Sequence, residues 1–248
     1  MRNIRITIEY DGKNFPGWQS QPGKISIQTE IENAIYEITG ERVELIASGR
    51  TDAGVHALGQ VANFHTNTKI ETSKIPYAIN SKLPNSIVVK EAKEEDERFH
   101  SRYNCKLKTY RYIINNNEFP SALNRYREFH MPCKLDYKEM EKAIKYFVGE
   151  HDFKAFKSSG GNAKKTTVRT LTDCNIKEND GRIYIELTGN GFLYNMVRII
   201  SGTILDVGLG KIKADDIPEI INCGVREKAG RTLPPHGLYL VKVNYEGD

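Results

Sequence analysis

Residue types suited to chemistry are concentrated in one short loop, residues 49–57, whose sequence is GRTDAGVHA. Arg50 and Asp52 stand two positions apart, so their side chains point the same way if the segment between them is extended. An arginine beside a carboxylate keeps the carboxylate ionised and oriented, as a nucleophile or a general base requires. A glycine on each side permits positive φ and a close approach to a ligand. The same sequence is also compatible with an ordinary tight turn at residues 52–54, closed by an Asx hydrogen bond.

Histidine and cysteine do not form a metal-binding pattern. His56 and His65 lie on either side of a predicted strand, but no further Cys or His stands at ligand spacing. The four cysteines contain no C-x-x-C pair, which speaks against zinc and redox motifs. We therefore expect no metal site and four buried free thiols, at Cys105, Cys133, Cys174 and Cys223.

The composition is that of a globular protein. The chain has 248 residues, 36 Lys and Arg against 32 Asp and Glu, a formal net charge of +4 and 39% hydrophobic residues. These values exclude collagen, disordered chains and small cysteine scaffolds. No stretch approaches the ~18 apolar residues of a spanning helix, and residues 1–6 form a charged, strand-like run. We expect a soluble, cytoplasmic protein with no membrane contact.

The first half of the chain has the periodicity of a β-α-β-β-α-β unit. Ser26 is suited to cap a helix with isoleucine at positions 27, 31, 35 and 38, which Gly40 would end. A shorter helix is predicted from Ser73 to Ile79. Strands are predicted at residues 3–10, 43–46, 60–64 and 86–89. This order of elements is ferredoxin-like.

The second half repeats that plan. Asp136 and Glu139 form a capping box for a helix that Gly149 would end. Strands are predicted at residues 109–114, 168–176, 183–187 and 238–243. An extra segment, residues 189–210, has no counterpart in the first half, so we expect it to have a functional or structural role of its own.

We therefore predict an α+β protein of two tandem ferredoxin-like (RRM-like) halves. Their mostly antiparallel sheets are expected to join side by side around a central cleft, where ligands commonly bind. The expected domains are residues 1–104, which carry the loop at 49–57, and residues 105–248, which carry an inserted helix. Because this fold also occurs in enzymes of small molecules, function has to be argued from the site.

Three residues outside the loop are candidates either for the site or for ordinary packing. Arg198 lies in an apolar stretch of helical spacing, where its charge needs a partner such as Asp52 or a phosphate, unless it extends to a domain surface. Tyr110 alternates with Tyr112 along a strand and is, on that pattern, a core aromatic residue. Leu238 is, from the sequence alone, a strand leucine.

Basic residues are interleaved with aromatic and polar residues in two segments, as in loops that follow a phosphate backbone. A solvated surface is the alternative for each of them. They are His100, Arg102, Lys106, Lys108 and Arg111, followed later by Lys154, Lys157, Lys164, Lys165 and Arg169. Phe15 and Trp18, beside a glycine turn, either stack on a ligand or close the core, and we expect at least one of them in the core.

Motifs along nearly the whole chain resemble those of the bacterial tRNA pseudouridine synthase A family. The loop GRTDAGVHA resembles the signature of that family. The other motifs are YDG at residues 10–12 with GWQ at 17–19, FHSR at 99–102, KTYRY at 108–112, GNGFLYNMVR at 189–198 and AGRTLPPHGL at 229–238. Several long motifs in the right order are far more specific than a lone glycine-rich loop.

The resemblance implies conversion of uridine to pseudouridine at positions 38, 39 and 40 of the tRNA anticodon stem-loop, by a homodimer that needs no cofactor or metal. Breaking the C1′–N1 bond and joining C1′ to C5 is redox-neutral, so one carboxylate suffices. Asp52 carries over as the catalytic nucleophile or base. Arg50 and Arg198 carry over as positioning arginines, Tyr110 as the aromatic that stacks on the target base, and Leu238 as the apolar wall of the pocket.

Three alternatives remain at this point. The same chemistry could act on other tRNA or ribosomal RNA uridines. A non-catalytic RNA-binding module would tolerate loss of Asp52, and the intact set of Arg50, Asp52, Tyr110 and Arg198 speaks against it. A nucleoside hydrolase usually has paired carboxylates, but no second acid stands near Asp52 in the sequence.

Overall fold

The computed structural model describes residues 1–160 and 166–247. It divides into two compact units. Unit 1 comprises Met1–Lys106 together with Tyr239–Asp248, and unit 2 comprises Leu107–Leu238. The second unit is therefore an insertion, in chain order, within the first.

The described ranges contain both strands and α-helices. The strands are β1 Arg2–Tyr10, β2 Ile46–Ala47, β3 His56–Thr66, β4 Ile87–Glu95, β5 Leu107–Asn115, β6 Phe129–His130, β7 Gly149–Asp152, β8 Val168–Asn179, β9 Arg182–Gly189 and β10 Leu238–Asn244. The α-helices are α1 Ile27–Thr39, α2 Ile75–Asn80, α3 Tyr137–Lys145, α4 Met196–Gly208 and α5 Ile217–Cys223. Strand pairing is mostly antiparallel, so the predicted α+β class is confirmed.

Unit 1 has the strand order expected for a ferredoxin-like fold. Strand β1 lies between β4 and β3, antiparallel to both, and β2 pairs with β3. Helix α1 begins as predicted, because the Ser26 side chain accepts a hydrogen bond from the Thr29 N–H, and it ends at Gly40 in the left-handed conformation. Its isoleucine stripe belongs to the core, because Ile27, Ile31 and Ile35 are all inaccessible to solvent.

The strand predicted at residues 43–46 is much shorter, since only Ile46–Ala47 pairs with β3. Side chains hold the chain before it. The Glu32 carboxylate accepts the Leu45 N–H at 3.1 Å, and Glu41 accepts from the Thr66 hydroxyl at 2.8 Å. A backbone group satisfied by a carboxylate has no need of a neighbouring strand, which explains why the apolar run does not extend the ladder.

In unit 2 the antiparallel strand order is β5-β9-β8-β7, with β6 parallel to β5. Asp136 caps α3 as predicted, since its carboxylate accepts the Glu139 N–H at 3.1 Å. The helix ends at Lys145 rather than at Gly149. Gly149 has φ +116° and begins β7 instead, so the expected stop is a turn into a strand.

The extra segment forms α4, and every residue of this helix except Arg198 is buried. Residues 229–233 pack along it. The Gly230 N–H donates to the Thr203 hydroxyl at 2.9 Å, and Arg231 forms an ion pair with Asp206 at 2.8 Å. The insertion is thus the core helix of unit 2. In the part of the chain that the structure describes, no helix has the length and apolar character needed to cross a membrane.

The closing strand β10 is grouped with unit 1, whereas the predicted second domain ran from residue 105 to 248. The physical reason is its pairing with β3, where Tyr239 lies opposite His56 and Leu240 opposite Ala57. The Tyr245 hydroxyl also donates to the Ser101 carbonyl at 2.8 Å. The predicted duplication, and the cleft between the two halves, stay predictions.

The expectation of four buried thiols is wrong. Cys174 is buried, Cys105 is half-buried, and Cys133 and Cys223 are exposed. Burial raises the pKa of the Cys174 thiol to about 12, so this cysteine is an inert core residue.

A glycine in α4 provides a test of this packing. Alanine normally stabilises a helix relative to glycine by about 1 kcal/mol, but a Cβ on Gly202 would lie 1.9 Å from the Arg231 carbonyl oxygen. We expect Gly202→Ala to lower the free energy of unfolding by about 1–3 kcal/mol, the usual cost of overpacking. Urea unfolding followed by circular dichroism measures the change.

Ser201→Ala is the matched control, because Ser201 is its neighbour in α4. The Ser201 hydroxyl is buried and has no hydrogen-bond partner within the described ranges. Removing it should leave the stability unchanged or slightly higher. A Gly202→Ala variant as stable as the Ser201→Ala variant would contradict this account of the helix interface.

Candidate active site

The loop that carries Arg50 and Asp52 connects β2 to β3 in unit 1. Asp52 is half-buried. Its backbone forms an isolated antiparallel bridge with Gly17, and its carbonyl accepts the Val55 N–H at 3.1 Å across a turn in which Gly54 has φ +77°. The candidate loop thus contains the tight turn that the sequence also allowed, and the half-buried Asp52 lies at the start of this turn.

Backbone contacts from the segment after β1 hold this turn in place. The Trp18 N–H donates to the Thr51 carbonyl at 3.0 Å. Gly17 has φ +112°, and a Cβ there would lie 2.7 Å from the Thr51 oxygen. The contact at Gly12 is closer still, since a Cβ there would lie 2.0 Å from the Val55 oxygen. Two chain segments thus touch at glycines, where no side chain fits between them.

A buried network of side chains lies beneath the loop. The Gln60 amide donates to the Gly49 carbonyl at 2.9 Å and accepts from the Ser48 hydroxyl at 2.7 Å. The Tyr10 and Thr51 hydroxyls are 2.7 Å apart. Burial raises the pKa of Tyr10 well above its ordinary value, against the opposing effect of side-chain hydrogen bonds to Thr51 and Gln60. The sequence analysis missed Tyr10 and Gln60 as parts of the site.

Trp18 is a core residue, 2% exposed, and its carbonyl accepts the Gln28 N–H at 3.0 Å in the first turn of α1. Phe15 is half-buried. His56 is buried at the start of β3, where its Nδ1 accepts the Gly12 N–H at 3.1 Å and its ring stacks on Tyr239. Among residues 1–160 and 166–247 no group of three or more His, Cys, Asp or Glu side chains is arranged to hold a metal ion.

Arg50 is exposed, and no hydrogen bond or ion pair joins it to another residue of the described ranges. The expected ion pair with Asp52 is therefore not formed. An exposed guanidinium beside a half-buried carboxylate is instead available to an anionic ligand such as a phosphate.

In unit 2, Tyr110 lies on β5, opposite Leu187 of β9. It is 9% exposed, and the Phe192 ring meets it edge-on, with ring centroids 4.9 Å apart. Tyr110 is thus an aromatic at the margin of a core, supported from one side by a second aromatic ring.

Arg198 lies in the first turn of α4 and is half-buried. Its Nε donates to the Leu233 carbonyl at 2.6 Å, and one Nη donates to the Asn195 side-chain oxygen at 2.7 Å. The partners of Arg198 within unit 2 are therefore carbonyl oxygens, and the carboxylate or phosphate partner expected from the apolar sequence around it stays a prediction. A guanidinium has five N–H donors, so the two bonds leave its positive charge unneutralised and donors to spare.

Asn195 is a further residue that sequence reasoning missed. It precedes α4 with φ +60°, a conformation that asparagine tolerates better than most residues. Its amide oxygen orients Arg198, and its amide nitrogen donates to the Ser158 hydroxyl at 3.0 Å. The only signal in the sequence was its place within the motif at residues 189–198.

Leu238, the first residue of β10, is 6% exposed. The segment before it is fixed to Tyr112, whose hydroxyl donates to the Pro234 carbonyl at 2.8 Å. A Cβ on Gly237 would lie 2.7 Å from the Tyr112 ring. The same segment, through Leu233, holds Arg198, so in unit 2 one stretch of chain joins two of the predicted site residues.

The predicted basic residues divide by their partners. Arg111 pairs with Glu186 at 2.6 Å and Lys106 with Glu246 at 3.3 Å, so both are neutralised locally. Arg102 and Lys154 are exposed. Lys164 and Lys165 lie outside the described residues.

The structure thus places Arg50 and Asp52 together in unit 1, and Tyr110, Arg198 and Leu238 in unit 2. In unit 1 the arrangement supplies a half-buried aspartate on a turn with a fixed backbone, and an exposed arginine two residues before it. In unit 2 it supplies an aromatic ring, an apolar side chain and a half-buried guanidinium. These are the kinds of group that hold and transform a nucleotide.

Comparisons with known proteins agree over the whole chain. The sequence matches the family described as tRNA pseudouridine synthase over residues 6–104 and 143–246. It is 55% identical to a tRNA pseudouridine synthase A of Acetivibrio thermocellus over 245 residues, 99% of this chain and 100% of that protein. It is 54% identical to the protein of the same name from Caldicellulosiruptor saccharolyticus, with the same coverage.

Among solved structures, a chain of a Cbf5–Nop10–Gar1 complex matches with a TM-score of 0.36 and 14% identity. That match covers 81% of this chain and 54% of the other, and the score is too low to support a conclusion. The sequence relationships are sufficient without it. With a family match over most of its length and half of its residues shared with full-length relatives, the chain belongs to the tRNA pseudouridine synthase family.

Proposed function

We propose that this chain isomerises uridine to pseudouridine at positions 38, 39 and 40 of the tRNA anticodon stem-loop, with Asp52 as the catalytic group. Membership of the family makes it an isomerase that acts on tRNA. The positions and the residue roles are the parts proposed here. The observation that carries the role of Asp52 is its half-buried carboxylate on a turn whose backbone is fixed by Gly17 and Trp18.

The reaction needs one group at C1′ of the target nucleotide. A carboxylate either attacks C1′, which displaces the base, or removes a proton from the sugar, and both routes require Asp52 to be ionised. The freed uracil turns and bonds to C1′ through C5, which releases the Asp52 carboxylate from C1′ in the first route and is followed by return of the proton to the sugar in the second. C5 then loses its proton, and N1 gains one. No electrons leave or enter, so the residues of the chain have only to bind, orient and exchange protons.

The other predicted residues are assigned by their chemistry. Tyr110 stacks on the target base, and Leu238 supplies an apolar wall. Arg50 and Arg198 hold phosphates or orient the Asp52 carboxylate. The unsatisfied donors of Arg198 and the exposure of Arg50 support this assignment.

The proposed setting follows the family resemblance. The protein works in the cytoplasm as a homodimer and binds the tRNA largely through its phosphates, with exposed cations such as Arg102 and Lys154 as candidates for contact. A non-catalytic RNA-binding module is the second candidate function, but a buried framework under Asp52 would serve no purpose in it.

Mapping of pseudouridine in total RNA from cells with and without this gene tests the target. We expect the modification at positions 38, 39 and 40 of tRNA to disappear when the gene is deleted. A plasmid copy of the gene should restore it. Loss confined to other tRNA positions or to ribosomal RNA would contradict the proposed target while leaving the chemistry intact.

Asp52→Asn tests the catalytic assignment. The change is nearly isosteric and removes the charge, so turnover should be abolished while tRNA affinity stays within about threefold, because affinity comes mainly from phosphate contacts. Tritium release from 5-tritiated uridine in tRNA measures turnover, and a gel shift measures affinity.

Asp216→Asn is the control, because Asp216 is an exposed aspartate that precedes α5 and caps nothing. Its activity should equal that of the unmodified protein. Pseudouridine formation by the Asp52→Asn variant above the background of the assay would refute the role of Asp52.

Substitution of Tyr110 separates stacking from hydroxyl chemistry. Phe keeps the ring face, whereas Leu loses it. Because stacking on a base contributes ~1–3 kcal/mol, Leu should lower the rate by roughly one to two powers of ten and Phe should stay active. If the hydroxyl also moves the C5 proton, the Phe variant will bind and cleave normally but release tritium slowly. If both variants are as active as the unmodified protein, Tyr110 is an ordinary core residue and does not stack on the base.

A further inference from the structure

Four polar side chains in and beneath the segment that carries Asp52 are almost completely buried. Gln60 and Ser48 are inaccessible to solvent, Tyr10 is 3% exposed and Thr51 is 6% exposed. Burial of a polar group is unfavourable unless the group is hydrogen-bonded. Here the four bond to one another and to the loop.

The bonds of this network end on residues 48, 49 and 51, just before Asp52. Gln60 holds Ser48 through its hydroxyl and Gly49 through its carbonyl, at 2.7 and 2.9 Å. Tyr10 holds Thr51 through its hydroxyl at 2.7 Å. Arg50 lies between these two attachments, and Asp52 follows the second. The network therefore fixes the chain on both sides of Arg50, immediately before the carboxylate.

The sheet is irregular at this place. Ile8 pairs with Gln60, but Tyr10, two residues further along β1, pairs with Ala57, so β3 contains one extra residue between the two pairs. Such a bulge turns side chains relative to a regular ladder and is common beside active sites. Gly59, within the bulge, approaches the Val241 carbonyl so closely that a Cβ would lie 2.6 Å from it. The bulge is thus a fixed feature of the unit.

Stability alone does not require these residues. A hydrogen bond between neutral groups contributes about 1 kcal/mol, and replacing both partners by apolar groups of similar shape is often nearly neutral. An apolar replacement would lack the directional preference of a hydrogen bond. Hydrogen bonds select one backbone geometry for residues 48–51 over others that are equally compact.

We propose that Tyr10 and Gln60 are positioning residues for the isomerisation, acting by holding residues 48–51 in the shape that presents Asp52 to C1′ of the target nucleotide. This inference rests on the proposed role of Asp52. A shift of the carboxylate by about 1 Å is enough to slow a reaction by up to about 100-fold while leaving remote binding contacts intact. The effect of losing the network should therefore fall on kcat.

Thr51→Val and Tyr10→Phe both delete the hydrogen bond between Tyr10 and Thr51 with almost no change of volume, and Tyr10→Phe also removes the bond of that hydroxyl to Gln60. We expect each to lower kcat for tritium release by about 10- to 100-fold, with KM and gel-shift affinity for tRNA unchanged. Thr51→Ser, which keeps the hydroxyl, should recover most of the activity. The double variant should be no slower than the slower single variant, because both changes remove one shared interaction.

Gln60→Met removes the other half of the network, keeps the length of the side chain and should show the same selective loss of kcat. Tyr245→Phe is the matched control for Tyr10→Phe. Tyr245 is also buried in unit 1, and its hydroxyl is likewise hydrogen-bonded, to the Ser101 carbonyl. Its kcat should be unchanged, even if its melting temperature falls.

The outcomes separate this inference from the proposed function. If Asp52→Asn is inactive but Tyr10→Phe and Thr51→Val turn over like the unmodified protein, the positioning role is overturned and the role of Asp52 stands. If the variants lose affinity and thermal stability in proportion to kcat, or if their effects simply add, the network is only structural and the inference is again overturned. If Asp52→Asn is active, the proposed function itself fails.

Discussion

The contact between residues 17–18 and residues 51–53 is the constraint on which the candidate active site depends. The two segments meet backbone to backbone, by the Trp18–Thr51 hydrogen bond and the bridge from Gly17 to Asp52. From there the constraint extends to α1, since the Trp18 carbonyl accepts the Gln28 N–H in the first turn of that helix. The position of the carboxylate is therefore set by a helix and two strands, although Asp52 belongs to a loop.

The two parts of the predicted site accommodate a partly buried charged side chain in different ways. In unit 1 the half-buried Asp52 follows a framework of neutral hydrogen-bonding groups, and the nearby Arg50 remains in water. In unit 2 the Arg198 guanidinium is half-buried against carbonyl oxygens of Leu233 and Asn195. Carbonyl dipoles hold an arginine in place without cancelling its charge, so the cation stays attractive to an anionic ligand.

Much of this could be predicted from the sequence, because the relevant rules are local. The cap at Ser26, the cap at Asp136 and the isoleucine stripe of α1 depend on residues only three or four positions apart. The loop at residues 49–57 was visible for the same reason. The short β2 was not predictable, since the Glu32 carboxylate satisfies the Leu45 N–H that the strand pattern would have paired.

The interior partners of the site were likewise beyond local rules. In the sequence Gln60 is an ordinary polar residue of a strand. Its hydrogen bond to the Gly49 carbonyl is evident only from the structure, in which it lies buried beside the bulge in β3. One partner of Arg198, the Leu233 carbonyl, comes from a segment 35 residues later in the chain. The resemblance to a family supplied the candidate functional residues but carried no information about which neighbours keep them in place.

The placement of β10 has a consequence for the order in which the protein is made. Unit 1 begins at the N-terminus, yet the strand that pairs with β3 is synthesised only after all of unit 2. On the ribosome the loop carrying Asp52 emerges early. The end of this loop, His56 and Ala57 of β3, can pair with β10 only after Tyr239 and Leu240 have been synthesised. Unit 2 is contiguous and has its complete sequence first, so the unit that holds the proposed catalytic group is the last to be completed.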